Sequence, residues 1–492
     1  MTKLEFGINQ IVESSKEAFA TYKKTDGKER ALFLRLIGEE IMNLGEELVQ
    51  TVISETHLHK ERIVGERGRT VDQLNKFADL VEEGSWKEAT IDIGDPDRLP
   101  ISKPDLRKLL IPTGTVVVFG AGNFPLAFSV AGGDTASALA AGNPVIVKGH
   151  PAHPETSQLV ARAIQIAVEK SGLHEGVFNL VQSSDIETGK ILVQHPLVKG
   201  VGFTGSTQGG FTLVKLAAER ECPIPVFAEM GSINPVVIFE DALKQNYDSI
   251  ASRLVASVNL GAGQFCTNPG LIVTTRSKGF DEFVLALQKE ITSASGSQMF
   301  SEGVYRNYTI NSEKMLGYSE VRIIAKGSLE SDIKKVNPAI AMVSATDFMQ
   351  KPQLHAEVFG PFSLLVVCNN RDELKQTINC LEGQLTATIH VSESELHHNI
   401  EIIEGLKEKC GRLLFNGVPT GVEVCAAMHH GGPFPATSDS RFTSVGMAAI
   451  KRFVRPLTYQ DFPQELLPEE LQDGNPLNIW RLVNDNWTKD SI

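Results

Sequence analysis

The 492-residue chain contains six cysteines but no Cys-x-x-Cys pair. Structural zinc sites and redox dithiols use that spacing, so neither chemistry has support, and no metal is expected. Unpatterned cysteines fit a reducing compartment. Positive charge is not in excess either: 47 Lys and Arg stand against 60 Asp and Glu, a formal net charge of -13. That balance argues against a nucleic-acid partner, which needs a basic face. It still allows a local basic pocket for an anionic cofactor. No uninterrupted apolar run reaches the roughly 18 residues of a membrane helix, and Met1 to Gly7 has no apolar core of signal-peptide length. The expected home is the cytoplasm, without a membrane partner. Internal repeats and low-complexity tracts are also missing.

What is present suggests two or three domains, because a chain this long exceeds one core. From about Glu13 to Val81, apolar residues recur at helical spacing, as in Leu32, Leu34, Leu36, Ile37, Ile41, Leu44 and Leu48. The basic stretch Lys60 to Thr70 reads as a solvated helix face. Gly94 to Ser102, broken by Pro96 and Pro100, reads as a linker or edge. Leu106 to Ile111 looks like an exposed strand. Thr115 to Phe119 is a short β-rich run typical of a buried parallel strand. It leads through Gly120-Ala121-Gly122-Asn123-Phe124-Pro125 into an expected small-residue helix from Leu126 to Ala141. Pro125 occupies the third glycine position of a dinucleotide fingerprint, so this turn is not assigned as one. Further strands are expected at Asn143 to Lys148, Val177 to Val181 and Val198 to Thr204, with helices between them. The alternation predicts an α/β fold with a parallel sheet covered on both faces. A ligand crevice would lie at the strand ends.

One cysteine stands apart. Cys266 sits in Asn259-Leu260-Gly261-Ala262-Gly263-Gln264-Phe265-Cys266-Thr267-Asn268-Pro269-Gly270, a run of small and turn-forming residues. Free cysteines usually serve as small core hydrophobes, and Cys222, Cys368, Cys380, Cys410 and Cys425 fit that use. Around Cys266, glycines let backbone come close to a ligand, so its thiol reads as presented. Glu229 closes another apolar run, Ile224 to Ala228, just before a turn.

Six segments in order, Asn123-Phe124-Pro125, Gly205 to Gly210, Glu229-Met230-Gly231, Gly263-Gln264-Phe265-Cys266, Glu357-Val358-Phe359-Gly360-Pro361 and Gly432-Pro433-Phe434, resemble the aldehyde dehydrogenase superfamily from about residue 15 to 462. The resemblance implies a Rossmann-like cofactor domain (1–98 and 113–230) and an α/β catalytic domain (231–448). It also implies a small bridging sheet and tail (99–112 and 449–492), used to form a homodimer or homotetramer. It implies that Cys266 is the nucleophile, Asn123 an oxyanion donor with the Cys266 N–H, and Glu229 the base that activates water. Burial at the end of an apolar strand would raise the Glu229 carboxyl. For the cofactor it implies Gly205, Ser206, Thr207 and Gly210 at the diphosphate, Lys148 at the adenine ribose, and Glu357 and Phe359 at the nicotinamide. His150 and His153 are further candidates beside Lys148.

NAD-preferring relatives commonly carry a glutamate three residues after that lysine, where this chain has Pro151. Removing that charge favours NADP, with NAD as the alternative. Gly-Ala-Gly before Asn123 departs from the common Pro-Trp. Together with His429-His430 and the segment Asn475 to Leu482, it looks like the branch containing α-ketoglutarate semialdehyde and NADP-dependent fatty aldehyde dehydrogenases. In that branch a histidine near the cysteine assists as a base, and His429 and His430 are both candidates. Phe124, Phe128 and Arg69 are assigned to the substrate tunnel. A guanidinium there suits an acid-bearing aldehyde such as 2,5-dioxopentanoate. The competing expectations are a fatty aldehyde substrate, a cysteine hydrolase independent of nicotinamide, and a non-catalytic relative.

Overall fold

The computed structural model describes residues 2–327 and 335–492. Four helices lead the chain: Lys3–Tyr22, Gly27–Asn43, Gly45–Thr56 and Lys60–Glu83. The first two open with capping boxes, Thr2 with Glu5 and Asp26 with Glu29, which satisfy backbone N–H groups that the helix cannot. Their apolar faces pack with Val116, Val118, Val145 and Val147 in one buried cluster. None of the described helices is long and apolar enough to cross a membrane.

The first sheet runs Phe178–Gln182, Val145–Gly149, Val116–Phe119, Gly200–Thr204, Val226–Glu229, and every pairing is parallel. The chain starts in the middle strand and winds first to one side, then to the other. The turns after the central strands therefore face a crevice at the switch point. A second, seven-stranded sheet carries Val236–Ile238, Leu271–Thr275 and Phe362–Cys368 near its middle. It is parallel apart from Arg322–Lys326, which pairs antiparallel with Ala339–Ser344 at one edge.

A small third sheet has the order Val454–Gln460, Leu106–Pro112, Thr90–Asp92, Arg481–Val483, Asn486–Thr488. Two expectations change here. Thr90–Asp92, placed by sequence in the first domain, pairs instead with Leu106–Pro112 and Arg481–Val483. The segment expected as a tail supplies two strands of this sheet. Arg481 locks it in place, fully buried and donating to the carbonyls of Gln472, Asp473 and Asp490. Ile479 meets the C-terminal end of the Lys60–Glu83 helix. That helix closes on Gly84 at φ 83, and a Cβ on Gly84 would stand 2.6 Å from Ile479 Cγ2.

The helix expected from Leu126 to Ala141 is confined to Gly133–Ala140. Two causes act together. The buried Glu66 carboxylate accepts the N–H groups of Leu126 at 2.8 Å and Ala127 at 3.0 Å, holding this stretch in turns. Gly132 then passes so close to Ala127 that a Cβ would lie 2.6 Å from its carbonyl oxygen.

Candidate active site

Cys266 follows a single turn of 3-10 helix, Leu260–Gly263, whose last three residues take φ of 56°, 57° and 65°. Glycine tolerates this region freely, but Ala262 does so at a cost of about 1–2 kcal/mol. At Gly263 only a glycine fits, because a Cβ would fall 2.3 Å from the Gly360 carbonyl. Side chains fasten the loop. Asn234 Nδ2 donates to the Cys266 carbonyl at 2.8 Å, and Asn268 Nδ2 donates to Gly360 O at 3.1 Å. Gln264 Oε1 accepts the Phe300 N–H at 2.9 Å. Asn123 Nδ2 donates to the Gln264 carbonyl at 3.1 Å, which brings the amide beside the cysteine. Among the described residues, no protein acceptor takes the Cys266 N–H.

Glu229 ends its strand buried, and His430 reaches it from a loop far along the chain. His430 Nε2 lies 2.8 Å from Glu229 Oε1 and 3.3 Å from Cys266 Sγ. Ser444 Oγ donates to Glu229 Oε2 at 2.6 Å. Burial alone would push the Glu229 carboxyl up, as the sequence led us to expect. The His430 ring and hydrogen bonds from His430, Ser444 and Cys266 outweigh it and hold the carboxyl below its ordinary range. Burial and the neighbouring Glu229 charge push the Cys266 thiol well up, and Arg69 only partly offsets them. The resting sulfur is therefore a thiol beside an ionised carboxylate.

A cavity of about 320 Å³ joins Asn123, Glu229, Cys266, Glu357 and Phe359. Burial raises the Glu357 carboxyl to about 7. A second cleft of about 610 Å³ runs from Lys148 and Pro151 past Asp185 and Lys190 to Gly205, Ser206 and Gly209. It includes the start of the Thr207–Ala218 helix, which Ser206 caps through the Gly209 N–H. Free N–H groups at a helix start suit a diphosphate. Two joined cavities, one at the thiol and one at this helix start, fit a dinucleotide.

The approach to the sulfur is aromatic and cationic. Phe124 packs edge-on against Phe128 and Phe265, with centroids 5.3 Å apart in both pairs. The Arg62 guanidinium lies 4.9 Å from the rings of both Phe124 and Phe265, and Arg69 lies 5.3 Å from Phe128. Burial lowers both guanidinium values, and the Cys266 sulfur opposes that shift at Arg69. Nε and Nη2 of Arg69 and Nη1 of Arg62 are buried without a partner among the described residues. The basic stretch is thus no solvated face. Glu61, Val64 and Gly68 are exposed, whereas Ile63, Glu66 and Thr70 are buried and the three arginines are partly so.

The sequence profile of the aldehyde dehydrogenase family matches residues 5–433. The chain belongs to that family. It is 48% identical over 475 residues to alpha-ketoglutaric semialdehyde dehydrogenase 2 of Azospirillum brasilense, covering 96% of this chain and 90% of the relative. It is 45% identical over 478 residues to alpha-ketoglutaric semialdehyde dehydrogenase of Acinetobacter baylyi, covering 97% and 90%. A solved 1-pyrroline-5-carboxylate dehydrogenase superposes with a TM-score of 0.77 at 20% identity over 93% of this chain and 86% of its own. That last likeness speaks for the fold.

In this aldehyde dehydrogenase most of the expected site residues converge, with two exceptions. Thr207 turns away from the cleft, its hydroxyl accepting the Gly231 N–H at 3.2 Å. Gly210 backs onto Met230, where a Cβ would sit 2.6 Å from Sδ. Gly209 lines the cleft in their place. His430, rather than His429, touches the sulfur. Asn234, Gln264 and Ser444 were not singled out by sequence. Neither was the pair that holds the Asn123 turn, Glu66 and Arg62, the latter donating to Asn123 O at 2.5 Å. The spacing of Glu66 four residues after Arg62 was the one available signal.

Proposed function

We propose that this dehydrogenase oxidises 2,5-dioxopentanoate, the semialdehyde of α-ketoglutarate, to 2-oxoglutarate, and that it prefers NADP. The observation that carries the substrate is the buried Arg69 guanidinium with two unpartnered nitrogens beside Phe128. A planar fork at that place matches a carboxylate, whereas an alkyl chain would leave its donors unsatisfied. The names of the two relatives at 45% and 48% identity support the same substrate.

In this reading the Cys266 sulfur adds to the aldehyde carbon while its proton leaves toward the Glu229–His430 pair. The oxygen that becomes negative is met by the Asn123 amide and the Cys266 N–H. A single such donor is worth about 3 kcal/mol of barrier. The nicotinamide cofactor, when bound, supplies the hydride acceptor that turns this adduct into a thioester on Cys266. Once the first proton has left the Glu229–His430 pair for solvent, Glu229 takes a proton from water as the water oxygen attacks the thioester carbon, and that proton returns to the departing Cys266 sulfur. Glu357 would hold the nicotinamide ribose, with Phe359 beside the ring.

The NADP preference rests on Pro151, which adds no carboxylate at its place in the cleft, and on Lys148 and Lys190, set against Asp185 along it. We assign the first sheet to cofactor binding and the second to catalysis. The small sheet is assigned to pairing copies of the chain as a dimer or tetramer in the cytoplasm. Its edge strand, Val454–Gln460, has Val454, Leu457 and Tyr459 part-buried and the rest exposed.

The test compares turnover of 2,5-dioxopentanoate and a long alkyl aldehyde in wild type and Arg69→Ala. A clamp predicts that kcat/KM for the acid falls on the order of 100-fold, as for a buried charge pair losing one partner, while the alkyl aldehyde holds or improves. Equal losses for both would overturn the substrate assignment.

A further inference from the structure

The cavity at Cys266 and the cleft at Lys148 share four lining residues: His150, Thr204, Gly205 and Ser206. These form the neck between the two spaces. A dinucleotide with its nicotinamide beside the thiol and its adenosine in the cleft must pass its diphosphate through this neck. Ser206, at the start of the Thr207–Ala218 helix, offers a backbone N–H there, whereas that of Gly205 is taken by the Glu229 carbonyl at 3.1 Å. The His150 imidazole belongs to the same shared lining.

The position of that ring is built. His150 stacks on His153 with centroids 5.4 Å apart and lies edge-on to Phe300 at 6.1 Å. Gly122 passes over it with so little room that a Cβ there would meet His150 Cε1 at 2.7 Å and Phe300 at 2.6 Å. The tautomer is built as well. The Ala152 N–H donates to His150 Nδ1 at 3.1 Å, so Nδ1 carries no proton and the ring hydrogen sits on Nε2. No acceptor for that Nε2–H exists among the described residues.

We propose that His150 donates its Nε2–H to the diphosphate of the bound cofactor in this neck. This assignment rests on the reading of the two cavities as the cofactor site. Burial, with His153 and Lys148 nearby, brings the His150 ring down to about 3, so it serves as a neutral donor throughout the working pH range. Lys148 sets the charge farther along the cleft, and His150 fixes where the diphosphate turns.

The experiment is calorimetric titration of wild type, His150→Phe and His150→Gln with NADP, ADP-ribose and AMP. ADP-ribose carries the diphosphate without nicotinamide, and AMP lacks the diphosphate. The expected result is that His150→Phe weakens ADP-ribose and NADP about tenfold or more, as loss of a hydrogen bond to a charged group does. AMP should change little, and His150→Gln, which keeps an N–H at similar reach, should recover most of the loss. Alkylation of Cys266 without cofactor checks that each variant keeps its catalytic loop. ADP-ribose binding that is unchanged in His150→Phe overturns the proposal. So does an equal loss for AMP, which marks a packing role, or a loss confined to NADP, which places the contact on the nicotinamide half. Wild type that binds none of the three would instead overturn the cofactor reading itself.

Discussion

Replacing His430 with alanine tests the central arrangement most directly. Its Nε2 contacts Glu229 Oε1 at 2.8 Å with both side chains buried, and it opposes the burial that would otherwise raise that carboxyl. A hydrogen bond to a charged group contributes about 1.5–3 kcal/mol, and 1.36 kcal/mol corresponds to one pH unit in the titration of the group. The Ser444 bond at 2.6 Å stays behind. The sign follows from the direction of the shift. A carboxyl held low remains ionised into acid solution, so the base is available there. Without His430 the desolvation prevails, Glu229 takes up a proton at higher pH, and activity is lost sooner on acidification. The acid limb of kcat should therefore move up by about one to two pH units. The assay is the initial rate of cofactor reduction at saturating aldehyde from pH 4.5 to 9. His430→Gln, which keeps an N–H donor, should move the limb less. An acid limb that stays in place in His430→Ala, with kcat still measurable, would refute the claim that His430 keeps Glu229 ionised.

Two further outcomes follow from single positions. Burial raises the Glu357 carboxyl to about 7, so it is neutral below that pH and ionised above, and only the ionised form is a full acceptor for ribose hydroxyls. Cofactor binding measured by calorimetry should tighten severalfold between pH 6 and 8, and Glu357→Gln should flatten that dependence; a slope that persists in the variant assigns it to another group. Gly263→Ala puts a methyl 2.3 Å from the Gly360 carbonyl at φ +65, a combination of strain and overpacking expected to cost about 2–5 kcal/mol. Gly45→Ala, at φ +56 with nothing within 4 Å, meets the backbone cost alone. Equal urea midpoints for the two variants would contradict this account.

What the sequence made legible was local. Val116 to Phe119 and Val145 to Val147 are β-branched runs bounded by glycine and proline turns, and they form the central strands of the first sheet. Cys266 announced itself through the glycines that bend its loop. What escaped sequence reasoning depended on partners far along the chain. The turns from Leu126 to Gly132 look helical until Glu66, on another helix, takes their N–H groups. Arg62 looks solvated until Phe124 and Phe265, from two other segments, close over it. The electrostatic state of Glu229 was read with the wrong sign, because the side chain that decides it lies 201 residues away.

The contact between Ile479 and Gly84 has a consequence for the helix that carries Arg62 and Arg69. That helix ends on a glycine that leaves no room for a methyl group on the side facing Ile479. The strand Arg481–Val483 then pairs with Thr90–Asp92, the next strand after that helix. The final segment of the chain thus acts as a backstop to the arginine rod. A bulkier side chain at 84 must displace Ile479 or the helix end, so this one contact fixes where the rod that carries Arg62 and Arg69 stops.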